Sequence, residues 1–196
     1  MINLIRNNYL TITLNEFDKE KIKKSQALIL NAPTKTINEK EVDSLKNYIK
    51  DGGLVILATG YEDKEASMPL LREFGLDIQD VPLGPVPYVE EDPEAFQTDP
   101  RFVDSWPIEI QEKTDFKTEI FYSININEMQ FVLMTLTKYD NETNPKYENY
   151  KGGLLLISDS QFLLDKNIES FDDYWPGNIQ FLKNIIDELK DNEVLQ

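Results

Sequence analysis

The chain contains neither cysteine nor histidine in its 196 residues. Without cysteine there is no disulfide, no thiolate nucleophile and no cysteine-ligated metal. Without histidine, the side chain best suited to proton transfer near neutral pH is missing as well. Basic residues are scarce: 20 Lys and Arg stand against 36 Asp and Glu, a net charge of -16. Phosphate backbones and anionic lipid surfaces are on average repelled by such a chain, so nucleic acid is not an expected partner. Long apolar runs are also absent. Leu54 to Ala58 and Leu154 to Ile157 are strand-length, far short of the ~20 residues a membrane-crossing helix needs. The opening Met1-Ile2-Asn3-Leu4-Ile5-Arg6 turns polar at once and carries no secretory signal pattern. A cytoplasmic location is the default expectation, with an exported or membrane-anchored parent chain the alternative if the sequence is a fragment.

What is present is enough to fold. Ten Phe, nine Tyr and two Trp accompany a 40% hydrophobic share, too rich for a disordered chain. The length suits one domain over residues 1–196. Ile2, Leu4 and Ile5 read as the end of a helix, and Tyr9 to Leu14 alternates like a strand. After a charged turn at Asp18 to Lys24, Ala27 to Leu30 reads as a short buried strand. Asn38 with Glu41 three residues on is a capping signal for a helix carrying Val42, Leu45, Tyr48 and Ile49, which stops at Gly52-Gly53. Leu54 to Ala58 is a continuous apolar run, as a parallel strand covered on both faces requires. Ser67 is expected to cap a short helix with Pro69 in its first turn, ending at Gly75 before a strand at Leu76 to Ile78.

From Val81 to Pro107 six prolines and the acidic run Glu90-Glu91-Asp92 predict an irregular excursion. Ile108 to Ile110, Thr118 to Tyr122 and Phe131 to Thr137 read as strands, the last two pairing across Asn125 to Glu128. Gly152-Gly153 then opens the apolar strand Leu154 to Ile157, and a helix from about Gly177 closes the chain. Asp51-Gly52-Gly53-Leu54 and Lys151-Gly152-Gly153-Leu154 match each other, and their flanks do not. They predict two equivalent buried strands, each entered through a glycine turn. The whole is an α/β chain with a mainly parallel sheet, helices on both faces, an added antiparallel region, and Ala27 to Leu30, Leu54 to Ala58 and Leu154 to Ile157 as central strands.

Leu28-Ile29-Leu30-Asn31-Ala32-Pro33, Tyr48-Ile49-Lys50-Asp51-Gly52-Gly53, the strand Leu54 to Ala58, Gly153 to Phe162 and Gly177 to Asn184 follow one another in an order and spacing that resembles a known family. They are similar to the class I glutamine-amidotransferase-like domains of gliding-motility ABC-transporter components and of an intraflagellar transport protein. The resemblance implies a flavodoxin-like three-layer sandwich. In catalytic members a Cys stands on the tight turn after a central strand, activated by a His. The matching turn here is Leu57-Ala58-Thr59-Gly60-Tyr61, where Ala58 or Thr59 occupies the nucleophile's place. Neither is a thiolate, so amidotransfer is excluded. The family's opening strand is missing, and Met1 falls inside its first helix.

In open α/β sheets, ligands sit beyond the carboxyl ends of the strands. That rule selects Pro33 and Thr34, Thr59, Gly60 and Tyr61, and Asp159 and Ser160. Trp175 and Asn178, ahead of the last helix, are further candidates for a sugar or peptide platform. Ordinary turn, cap and core roles compete at every one of these positions. Asp159, Ser160 and Asp165 lack a metal-loop spacing, and no cofactor is expected. Two readings remain. One is a non-catalytic binding or scaffold domain, a module of a transport or envelope assembly, with a protein partner and a small polar ligand or sugar as the further option. The other is a metal- or carboxylate-dependent hydrolase acting at Thr59 and Asp159, with Asp159 or Glu62 as base.

Overall fold

The computed structural model describes residues 10–14, 16–86, 100–164, 167, 178 and 182–184. Its frame is a five-stranded mixed sheet in the order β1(Ala27–Asn31), β2(Leu54–Ala58), β9(Gly153–Ile157), β8(Met129–Tyr139), β7(Phe116–Ile126). The first two pairings are parallel and the last two antiparallel. Two short ribbons stand apart: β3(Leu76–Ile78) with β6(Ile108–Ile110), and β4(Gly84–Val86) with β5(Phe102–Ser105).

Helix α2(Glu39–Lys50) begins where the sequence signal places it. Asn38 Oδ1 accepts from Glu41 N while Glu41 Oε2 accepts from Asn38 N, a reciprocal cap of the kind that contributes about 1 kcal/mol. Its buried side, Val42, Leu45, Tyr48 and Ile49, packs with α3(Met68–Glu73) over Val55, Leu57, Leu154 and Leu156. The opposite sheet face, with Leu54, Ile56, Leu155 and Ile157, is covered by Val86, Phe102 and Phe162, with Leu163 and Leu182 alongside. Strands β2 and β9 are buried at every position, as their unbroken apolar runs require.

The two double glycines interlock. Gly152 N donates to Ile49 O at 3.1 Å, and Gly153 N to Gly53 O at 3.3 Å. A Cβ on Gly152 would stand 2.2 Å from Gly53 O and 2.3 Å from Ile49 O, and one on Gly53 would enter the Tyr48 ring at 2.3 Å. Gly52, at φ +99, takes a backbone conformation that suits glycine.

Several expectations are corrected. Leu10 to Leu14 forms no strand, and Leu10 and Ile12 are exposed, since alternation without a neighbouring strand makes no ladder. The charged stretch Asp18 to Lys24 contains a helical turn, α1(Lys19–Ile22), capped by Asp18. Ala27–Asn31 is neither buried nor central: among the described residues it is an edge strand, exposed at alternate positions. The described helices α2 and α3 both pack on one sheet face. The described parts of the excursion form regular structure, because apolar Val86 and Phe102 pair there and bury against the sheet. Ser67 precedes α3 without a side-chain cap bond, its buried Oγ unpartnered. The hairpin is longer than predicted: β7 and β8 run eleven residues each around Asn127 and Glu128, both at positive φ as a tight two-residue turn demands. The expected first helix and the acidic run lie outside the described residues. Of the last helix, only Asn178 and 182–184 are described, and these are helical.

The glycine interlock yields a first prediction. Gly152→Ala should lower stability by about 3 kcal/mol or more, because its neighbours are backbone atoms that cannot turn aside. The check is the denaturant midpoint, against Gly84→Ala, where nothing lies within 4 Å of the added Cβ and only the positive φ of +66 is strained, at a cost of about 1 kcal/mol. Equal costs for the two would refute the interlock, since both glycines then matter only through their backbone.

Candidate functional site

The carboxyl ends of β1, β2 and β9 lie level, with Asn31 beside Ala58 and Ala58 beside Ile157. Beyond β1 the chain turns through Ala32, at φ +40, whose N–H donates to Ala58 O at 2.8 Å. Pro33 is half-buried and Thr34 exposed. Beyond β2, Thr59 is fully buried: its N–H donates to Ile157 O at 3.0 Å, and its Oγ1 reaches only Gly60 O at 3.5 Å. Beyond β9, Ser158 N and Oγ both donate to Leu133 O.

Above these ends lies a residue that the sequence reading passed over. Trp106 is buried, and its indole stands where a side chain on Gly60 would be, 3.1 Å from Nε1 and 3.2 Å from Cδ1. Tyr61 stacks on it with ring centroids 5.4 Å apart and planes 30° off parallel. Ser160 Oγ is 3.9 Å from the same point over Gly60. The Trp106 backbone N–H donates to Ser158 O at 3.1 Å. The Tyr61 ring also carries Lys64 Nζ at 4.5 Å, an ammonium fixed by Asp77 Oδ1 at 2.6 Å and Ile78 O at 2.5 Å. Gly60, Tyr61 and Ser160 thus meet around the chain's own tryptophan.

Asp159 and Asn178 serve the segment that bears Trp106. The Asp159 carboxylate is buried and accepts three backbone N–H groups: Val103 at 2.6 Å and Asp104 at 3.3 Å on Oδ2, Gln161 at 2.8 Å on Oδ1. Burial pushes this carboxyl above its ordinary range, and the N–H donors partly pull it back. Asn178 accepts from Arg101 N at 2.6 Å and donates to Arg101 O at 3.1 Å, pairing with one residue's backbone as a neighbouring strand would. Asn167 Nδ2 adds a bond to Phe162 O at 3.0 Å.

No hydrogen bond joins Thr59 to Asp159, and Glu62 is exposed. Among the described residues no group of three carboxylates is placed to hold a metal ion. Trp175 and Asp165 lie outside the described residues. The apolar Phe102-Val103 and Trp106 that break the polar texture after the acidic run were the available signal for the missed strap.

A second surface was also missed. β7 and β8 continue past β9, since Met134 lies opposite Ile157 and the ribbon runs on to its turn. Ile124 opposes Phe131 and Ile126 opposes Met129, so these four share one side. Ile124 packs on the core, and Met129 is 58% exposed. The other side carries Ser123, Asn125 and Gln130, with Gln130 Nε2 donating to Ser123 Oγ, and Val132 packed on the core.

No family model matches the chain. No curated protein matches it either. Among solved structures, the mmIFT52 N-terminal domain superposes with a TM-score of 0.62 at 15% identity, covering 95% of this chain and 86% of that one. The chain shares that domain's fold. This agrees with the intraflagellar part of the resemblance drawn from the sequence. No helix among the described residues is long and apolar enough to cross a membrane.

If Asp159 is a bolt for the strap, Asp159→Ala strands buried N–H donors and should cost roughly 2 kcal/mol. Amide exchange at Val103 and Gln161 should quicken while β2 stays protected. A stability within about 0.5 kcal/mol of the parent would remove the bolt from the account.

Proposed function

We propose that this is a non-catalytic binding domain of the amidotransferase-like, flavodoxin-like class, acting as one module of a transport or envelope assembly. The observation that carries the reading is the occupied strand-end site. The turn that matches the family's nucleophile position holds a buried threonine with no base at its hydroxyl. The buried Asp159 carboxylate at these ends spends its oxygens on backbone donors. An alcohol without a hydrogen-bonded base is a poor nucleophile. The hydrolase reading needs Thr59 and Asp159 to converge, and no observation favours it.

On this reading the protein partner is basic and meets the projecting ribbon. A net charge of -16 attracts cationic surfaces from a distance. The side bearing Ile126, Met129 and Phe131 supplies apolar area next to Glu128 at the turn. The fold likeness to the mmIFT52 N-terminal domain is compatible with such partnering.

The test is capture of partners from the producing cells with three baits. The parent and Thr59→Val should retain the same basic protein, and an Ile126→Glu/Met129→Glu variant should lose it at least tenfold. A hydrolytic turnover present in the parent and abolished by Thr59→Val would overturn the proposal.

A further inference from the structure

We propose that the strand-end crevice is a site for a flat, neutral, indole-sized aromatic ring, and that Trp106 is its built-in occupant. This site is independent of what the ribbon binds.

Gly60 supplies the floor. Its φ does not demand glycine, so the missing side chain is explained by what lies above it: the indole edge, at 3.1 to 3.2 Å from where a Cβ would be. Tyr61 supplies a stacking wall at 5.4 Å. Offset or tilted stacking of this kind is favourable beyond the area it buries. The ring enters from a strap that crosses over the strand ends, as a tethered ligand would. That strap is held by polar side chains whose partners are backbone atoms of Arg101, Val103 and Asp104, and by the Trp106 backbone N–H on Ser158 O. The tryptophan ring and its tether are therefore separable: the strap's bonds are made by backbone groups of residues 101 to 106, and the indole only fills the space. Lys64, the ammonium over Tyr61, is already engaged by Asp77 and Ile78, and the Asp159 carboxylate by backbone N–H groups, so the space calls for a neutral ring.

Removing the ring while keeping the strap should leave a ring-shaped cavity, since apolar cavities in proteins stay open and accept small aromatics. In Trp106→Gly, the melting temperature should fall by roughly 10 °C. Free indole should then raise it by a few degrees in a saturable manner. The parent protein, whose site is full, should not respond. Indole that fails to stabilise the variant, or that stabilises the parent equally, overturns the proposal. If Trp106→Gly does not fold, a Trp175→Phe background leaves Trp106 as the sole tryptophan. There, Gly60→Val should make Trp106 several-fold more accessible to acrylamide quenching. Unchanged quenching would show that the ring does not sit over Gly60, and the proposal fails.

Discussion

The architecture depends on a contact only glycine permits: the entry of β9 pressed against the entry of β2 and the last turn of α2. Ile49 O, at the carboxyl end of that helix, accepts from both Gly52 N and Gly152 N. Carbonyls at a helix end have no partner within the helix, and here the sheet supplies one. The contact fixes where α2 lies along the sheet. It also fixes the register of β2 against β9, Leu54 opposite Gly153 through to Ala58 opposite Ile157. Because the register is fixed at the entry, the exits are level too, and Thr59 and Ser158 emerge side by side. The strand-end crevice is thus a consequence, five residues away, of two glycine pairs.

A level row of strand ends exposes backbone and invites a ligand, and this chain fills the row from within. The materials are those that a binding site would use: a buried carboxylate, a buried amide and an aromatic ring. Their partners decide the matter. A buried carboxylate is costly unless its lone pairs are met, and Asp159 meets them with three N–H groups. The buried Asn178 amide is matched by the two backbone groups of Arg101. Once satisfied in this way, such groups have little left to offer a substrate, and they rigidify what they hold.

What was legible in the sequence was what is local. The Asn38–Glu41 cap is a four-residue device, the apolar runs of β2 and β9 need only their own composition, and the β7–β8 hairpin is set by its turn. What escaped was decided at long range. The edge position of Ala27–Asn31 depends on which strands pair, not on its own residues, so its apolar content misled. Asp159 reaches residues some 55 positions away and Asn178 one 77 positions away. No spacing rule covers such distances. Trp106 escaped because the prolines around it predict an irregular excursion, when Pro107 merely separates one short strand from the next.

The edge and the ribbon show how the remaining exposure is managed. β7 is an outer strand of eleven residues, long enough to recruit foreign strands. It is interrupted by irregular register between Ile120 and Ser123, and it carries Lys117 and Glu119 near its start. Lys117 is tied to Glu142 and Glu119 lies near Lys138, so each charge stays at the edge rather than folding away. A bulge and outward charges discourage edge-to-edge pairing. Beyond the bulge those protections stop, and Met129 stands exposed on the ribbon's apolar side. Charge and irregular register thus guard the first half of the edge, where Ile120 is half-exposed, while the exposed Met129 lies on β8 beside the turn rather than on the edge strand itself.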